Sequence, residues 1–353
     1  MRIPMHLEEA VMTRCCLFWV VLIGAGAAAA IALAGAPAEI DVQGLYEGSC
    51  KDAKGVESKL EVRVVAQGKG EYKAFIRQSL PDGKLAKPVL DGKTDGAAVV
   101  FEGRAGEVEW KAAFADGAIK GSCGQGCTLE LKRVERKPAS LGAKPPEGAI
   151  VLLPPDPKSS DEMTKRKGKD GTEPEWKVFE DGGVLVPKGG MSSKRTLDGS
   201  FKLHVEFKCP FMPAGRGQGR GNSGVYLPNG DEIQVLDSFG MDTYLGGGCG
   251  GIYKYKDPDT MEELPPPAPD KPPFRFTLAS LPPGQWQTYD IEYRVPMQDG
   301  KPAGRPRVTV YHNGIKIHDN FELKGSGKRP FFFQDHGCPV QYRNIWVLPI
   351  EGK

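Results

Sequence analysis

No helical period of useful length runs anywhere after residue 40, which excludes a helix bundle and argues against alternating strands and helices. Net charge is nearly absent too. Lys+Arg 47 against Asp+Glu 45 leaves +2, so no polyanion partner is implied. No basic run with interleaved aromatics marks a nucleic-acid surface, and Arg216 and Arg220 sit in a Gly loop. A zinc signature is also missing: Cys123-Gly-Gln-Gly-Cys127 has no second Cys or His pair near it. What the chain has in plenty is Gly (46) and Pro (30) among 353 residues. Both punctuate turns and disfavour long helices, so the composition points to an all-β chain with many loops.

The one long uncharged stretch opens with Leu17-Phe18-Trp19-Val20-Val21-Leu22-Ile23 and runs to about Pro37. Arg14 precedes it, and Ala36-Pro37-Ala38 matches a small-x-small cleavage site, so residues 1–38 read as a signal peptide. Met12 competes with Met1 as the start, and an uncleaved membrane anchor is the rival reading. Either way the body of the chain is expected to be exported: periplasmic, cell-surface or extracellular. Cys15 and Cys16 fall in this segment, leaving Cys50, Cys123, Cys127, Cys209, Cys249 and Cys338. Disulfides are the default for an exported chain, with one cysteine left over in each half if pairs stay within domains.

Residues 39–137 read as a small β domain. Leu60 to Val65, Tyr72 to Arg77, Ala97 to Phe101 and Thr128 to Lys132 supply strands, with Pro81-Asp82-Gly83 and Ala115-Asp116-Gly117 as turns. A strand about every ten residues suggests a sandwich or barrel, and no chemical cluster marks it. Residues 138–147, with Lys144-Pro145-Pro146, read as a semi-rigid linker. Residues 148–353 form a second domain. Phe201 to Lys208 alternates strictly, Ile291 to Val295 and Val308 to Tyr311 follow suit, and His312-Asn313-Gly314 predicts a hairpin turn into Ile315-Lys316-Ile317. Leu264 to Pro273 and Leu281-Pro282-Pro283 read as rim loops.

Chemistry concentrates in Gly221-Asn222-Ser223-Gly224-Val225-Tyr226-Leu227 and Asp231-Glu232-Ile233-Gln234-Val235-Leu236-Asp237. Glu232 and Gln234 project to one face of a strand, Ile233 and Val235 to the other. A strand with one apolar and one carboxylate–amide face suits a β-sandwich that holds a polar ligand, a sugar-handling geometry. Asp237 joins that face only through a bulge, because its offset from Gln234 is odd.

These runs, with Gly251-Ile252-Tyr253, Trp286 to Asp290, His312-Asn313-Gly314 and His336-Gly337-Cys338-Pro339-Val340 to Trp346, resemble the 3-keto-disaccharide hydrolase domain family over most of residues 148–350. The resemblance implies a concanavalin A-like jelly-roll β-sandwich preceded by a small β domain. It also implies hydrolysis of disaccharides or glycosides oxidised to a ketone at carbon 3. Such a ketone acidifies the carbon-2 proton, so a base can start elimination of the glycosidic oxygen, and water then adds. Glu232 and His336 are the candidate base and acid. Asn222 or Arg343 would bind the enolate or a hydroxyl, Gln234 would bind substrate, and Tyr226, Tyr253 and Trp286 would stack on sugar faces.

Glu232, Gln234 and Asp237 also fill the slots of the Glu-x-Asp-x-x-Glu run of laminarinase-type glycosidases. An ordinary two-carboxylate mechanism through Glu232 and Asp237 is therefore one alternative. A carbohydrate-binding protein without catalysis is the other. Concanavalin A-like domains often hold a calcium ion. The set Glu232, Asp237 and His336 could hold a divalent cation that polarises the ketone, although no ligand spacing demands one. The expected partner is a carbohydrate; no nucleic acid is expected and no protein partner is inferable.

Overall fold

The structure is a computed structural model. It describes residues 35–351 apart from 125, 156–161, 166–170, 265–269, 271–272 and 326. The apolar leader through residue 34, with Cys15 and Cys16, lies outside the described residues, as does most of the Leu264 to Pro273 insertion. The described chain is all-β. Its helical content is one turn at Glu39–Val42 and a 3-10 turn at Gly217–Gly219.

The first half is a nine-stranded antiparallel sheet that closes on itself. Glu57–Gly68 pairs with Gly44–Lys51 on one side and Glu71–Ser79 on the other. From Gly44–Lys51 the ladder passes through Thr128–Val134, Ala118–Cys123, Val108–Ala115, Ala98–Ala105 and Val89–Asp95, and returns to Glu71–Ser79. Leu85–Ala86 hangs on that last strand. Tyr46, Leu60, Val62, Leu90, Phe101, Trp110, Phe114, Ile119, Leu129 and Leu131 fill the interior. A void of about 10 Å³ among them is no more than one water requires. Closure removes the sheet edges, and side-chain filling leaves no calyx for an internal ligand.

The second half stacks two sheets over one core. The larger runs Ile150–Leu153, Gln341–Ile350, Ser200–Lys208, Gln287–Arg294, Arg307–His312, Ile315–Glu322, with Val184–Leu185 beside Gln341–Ile350. The smaller runs Met163–Lys165, Met191–Ser193, Phe332–Phe333, Ser223–Tyr226, Glu232–Val235. Phe201, Leu203, Val205, Phe207, Tyr289 and Ile291 from one meet Val225, Ile233, Val235 and Phe333 from the other. The Asn313-Gly314 turn carries φ 54° and 82°, the paired left-handed values that suit Asn-Gly and match hairpin twist.

Alternation along Ser200–Lys208 leads one to expect a solvent face at His204 and Glu206, yet both are buried. The cover is the Pro-rich segment expected to be a spacer. It lies across the outer face of the larger sheet. Ser140 Oγ meets Asp290 Oδ2 at 2.5 Å and Thr288 Oγ1 at 3.0 Å. The Gly142 N–H donates to Glu206 Oε1 at 2.5 Å, and Asn344 and Trp346 both donate to Ala143 O. Beneath it His204 Nδ1 sits 2.7 Å from Asp290 Oδ1. Burial alone would raise the Glu206 carboxyl. Hydrogen bonds from His204, Asn344, Arg343 and the Gly142 N–H outweigh it and bring Glu206 down to about 2.

Barrel and sandwich share a further apolar cluster of Leu45, Val65, Phe75, Phe239, Met241, Leu264 and Phe276. Arg63, from a barrel strand, donates to Leu278 O at 2.5 Å and Ser280 O at 3.2 Å, with its guanidinium over Phe239. Arg220 crosses the other way. It pairs with Asp237 at 2.7 Å and donates to Ala66 O at 3.3 Å and Gln43 Oε1 at 3.3 Å. The Gly- and Arg-rich loop from Met212 to Arg220 is therefore a docking segment, in which Arg216 also reaches Gln67 O at 2.7 Å.

Candidate active site

Ser223–Tyr226 and Glu232–Val235 form an antiparallel pair in which Gly224 faces Gln234 and Tyr226 faces Glu232. Ile233, Val235 and Val225 enter the core. The alternate positions Asn222, Tyr226, Glu232 and Gln234 therefore share the outer face. Gly224 makes room there: a Cβ at this position would overlap the Glu232 carboxylate, which would have to move aside. The absent side chain is what lets that carboxyl lie down against its partner strand.

Glu232 is 6% exposed, and burial pushes its carboxyl up to about 7 against the opposing effect of a hydrogen bond with Tyr226. Burial and the Glu232 carboxyl together raise the Tyr226 hydroxyl. Gln334 Nε2 donates to Tyr226 Oη at 3.3 Å, and the Gln334 N–H holds Gly224 O at 3.0 Å. The Tyr253 N–H donates to Glu232 O at 3.0 Å, and Tyr253 Oη meets Tyr244 Oη at 2.7 Å. Although Tyr244 is exposed, partial desolvation of its hydroxyl against Tyr253 pushes it up to about 12, with a further contribution from the Glu232 charge. The carboxyl thus sits among three tyrosines, with Phe332 tilted against Tyr226 at 5.6 Å.

Beside it three amides lock one another. Gln234 Nε2 donates to Gln218 Oε1 and Asn222 Oδ1, both at 3.0 Å. Asn222 Nδ2 donates to Gln218 O at 2.9 Å and Gln218 Oε1 at 3.0 Å, and Gln218 Nε2 donates to Gly247 O at 2.9 Å. The network fixes each amide's orientation, because a flip would set oxygen against oxygen. Gln234 Oε1 is left buried without a donor.

The structure divides the residues singled out from sequence. Glu232, Tyr226, Asn222, Gln234 and Tyr253 come together. His336 stands exposed on the loop beyond Gln334, where the Asp335 carboxylate accepts the Gly189 and Gly337 N–H groups at 2.9 Å. Asp237 does not join Glu232. It faces the interior, 2% exposed, and both its oxygens are engaged, by Arg220 Nε and by the Phe239 N–H. No bulge turns it outward, so it is a fold-holding carboxylate. Glu232, Asp237 and His336 consequently do not form a cation-binding set.

Trp286 and Arg343 belong to the outer face of the larger sheet, across the core from Glu232. The Arg343 guanidinium lies 4.1 Å from the Trp286 ring centroid, Arg343 Nε holds Glu206 at 2.8 Å, and Trp286 Nε1 donates to Asp181 at 3.0 Å. Sequence reasoning missed Gln218, Tyr244 and Gln334. Gln334 adjoins His336 in the chain, but nothing local marks the other two.

A family model described as the 3-keto-alpha-glucoside-1,2-lyase-like domain matches residues 155–348. Eight chains of solved structures match. One of them, a "putative glycosyl hydrolase" from Parabacteroides distasonis, is 30% identical over 58% of this chain and 85% of its own, with a TM-score of 0.45. No curated protein matches.

Proposed function

The chain belongs to the 3-keto-alpha-glucoside-1,2-lyase-like family, and from that membership we propose that it is an exported enzyme that cleaves 3-keto-glycosides by elimination and hydration. In this reading the two-sheet body is a concanavalin A-like jelly roll that carries the site, and residues 39–137 are an accessory domain.

The observation that carries the proposal is the Glu232 carboxyl, pushed up to about 7 by burial. Such a group is half ionised at neutral pH and can take and return a proton. As carboxylate it removes the carbon-2 proton, which the neighbouring ketone has acidified. The electron pair forms the carbon-1–carbon-2 double bond as the carbon-1–oxygen bond breaks. His336, on the adjacent loop, protonates the departing oxygen. Water then adds its hydroxyl to carbon 1 and its proton to the imidazole, while Glu232 returns its proton to carbon 2. The products are the alcohol and the free 3-keto sugar. Tyr226 orients the carboxyl, Gln234 Oε1 accepts a sugar hydroxyl, and Tyr244 and Tyr253 offer ring faces. Asn222 holds Gln234 in place.

A retaining two-carboxylate mechanism fits less well. It needs a second carboxyl about 5–5.5 Å away. Asp237, the partner the sequence offered, is committed to Arg220.

The test is incubation with a 3-keto disaccharide and, in parallel, its unoxidised parent, with products followed by mass spectrometry. Cleavage of the keto sugar alone is expected. Cleavage of the parent sugar, or binding of either without turnover, would reject the proposal.

A further inference from the structure

The barrel carries three cysteines that the candidate active site does not use. Cys50 lies on Gly44–Lys51, Cys123 ends Ala118–Cys123, and Cys127 immediately precedes Thr128–Val134. The ladder sets Cys50 opposite Leu129, two residues from Cys127. Gly124 and Gly126, at φ 75° and 72°, fold the intervening turn so that Cys123 and Cys127 come back to the same end of the barrel. All three are buried, and their sulfurs all lie within 4.8 Å of one another.

A disulfide accounts for only two of these three cysteines: Cys123–Cys127 or Cys50–Cys127 lies within bridging reach, but a sulfur forms one S–S bond and three sulfurs meet here. Any pairing leaves a thiol buried against a disulfide. The Cα–Cα separations are 5.2 Å for Cys123–Cys127, 6.6 Å for Cys50–Cys127 and 7.4 Å for Cys50–Cys123. The last exceeds the span of about 4.4–6.8 Å that a disulfide bridges. The three sulfurs are in mutual contact here; three thiolates each about 2.3 Å from a common ion stand about 3.8–4.0 Å apart, so side-chain rotation must spread them to seat one. The other described cysteines, Cys209, Cys249 and Cys338, lie outside this cluster as buried free thiols.

We propose that Cys50, Cys123 and Cys127 form a three-thiolate binding site for one thiophilic closed-shell cation, Zn²⁺ or Cu⁺. Soft sulfur donors select these ions. Loading forms three metal–sulfur bonds and releases three protons, with no change of oxidation state. Cu⁺ is satisfied by three sulfurs, and Zn²⁺ completes its tetrahedron with a water. The ion would tie the first barrel strand to the hairpin that ends the barrel, so its role is structural and independent of the glycoside reading.

The test uses the full chain, expressed with its leader and purified without reductant or chelator. Bound metal is measured by elemental mass spectrometry, and thiols are counted in denaturant with chelator. The expected result is one zinc or copper ion per chain and as many thiols as the purified chain has cysteines. Cys50→Ser, Cys123→Ser and Cys127→Ser should each lose the ion, whereas Cys338→Ser should keep it. Should those variants fail to fold, Co²⁺ titration of the parent protein reads the same site: a near-ultraviolet thiolate-to-cobalt band should rise and then vanish on adding Zn²⁺. Two thiols too few, with a disulfide mapped to this cluster, would overturn the proposal. So would a full thiol count with no uptake of Zn²⁺, Co²⁺ or Cu⁺.

Discussion

Glu232 shows how a buried acid can lower stability. Its carboxyl is raised from the ordinary 4.5 to about 7, so the folded state keeps a proton that the unfolded chain releases. Between these values stability falls as pH rises. Glu232→Gln should remove that loss, leaving the variant more stable than the parent at pH 8 by up to about 3 kcal/mol and equal to it at pH 4. Urea unfolding at the two pH values checks this. Turnover of the keto sugar should fall by about 10²–10⁴-fold in the same variant, and the parent's kcat/KM should rise through about pH 7. An active Gln variant would remove Glu232 from the chemistry.

The outer-face pattern of Glu232 and Gln234 was legible in the sequence, because strand alternation is local. Asp237 was misjudged for the complementary reason: its partner Arg220 lies 17 residues away in sequence, and no periodicity reports that.

At the scale of elements, the segments that alternate over many residues were readable. Leu60 to Val65 lies inside Glu57–Gly68, and Phe201 to Lys208 matches Ser200–Lys208. Short strands such as Met191–Ser193 and Phe332–Phe333 were not, since two or three residues carry no period and are held only by their neighbours in the sheet. Burial of His204 and Glu206 was equally hidden, because it depends on a segment more than 60 residues earlier in the chain laying itself over them. Trp286 and Arg343 were grouped with the site on residue type, whereas their contacts are with each other and with Asp181 and Glu206.

The segment just beyond Glu232–Val235 carries a prediction of its own, at Asp237. Asp237→Asn leaves the Arg220 guanidinium buried without its counter-charge and should cost about 3–5 kcal/mol. Thermal denaturation should show the loss, while kcat of the remaining folded protein stays close to the parent's. A loss confined to kcat would return Asp237 to the catalytic set.

At the scale of the molecule, barrel closure and the contacts between barrel and sandwich were beyond sequence reading. Both depend on pairings between distant strands. Composition gave the all-β class and the two-part organisation as expectations, but not Arg63 reaching Leu278 O, nor the shared cluster around Phe75 and Phe239. Those contacts predict joint unfolding. Under native-state hydrogen exchange in rising urea, amides of Val62–Val64 and of Leu203–Phe207 should reach the same opening free energy. Arg63→Ala should lower both equally. Separate isotherms for the two segments would show that the bodies open independently.

Gly224 sets the pose of the acid without touching it chemically. The room it leaves is taken up by the Glu232 carboxylate, so the site rests on a missing methyl group. Any larger residue here makes that carboxyl swing away from the strand, even with every polar residue around it kept. The polar side chains alone therefore do not specify where the acid points; an unreactive neighbour on the next strand does.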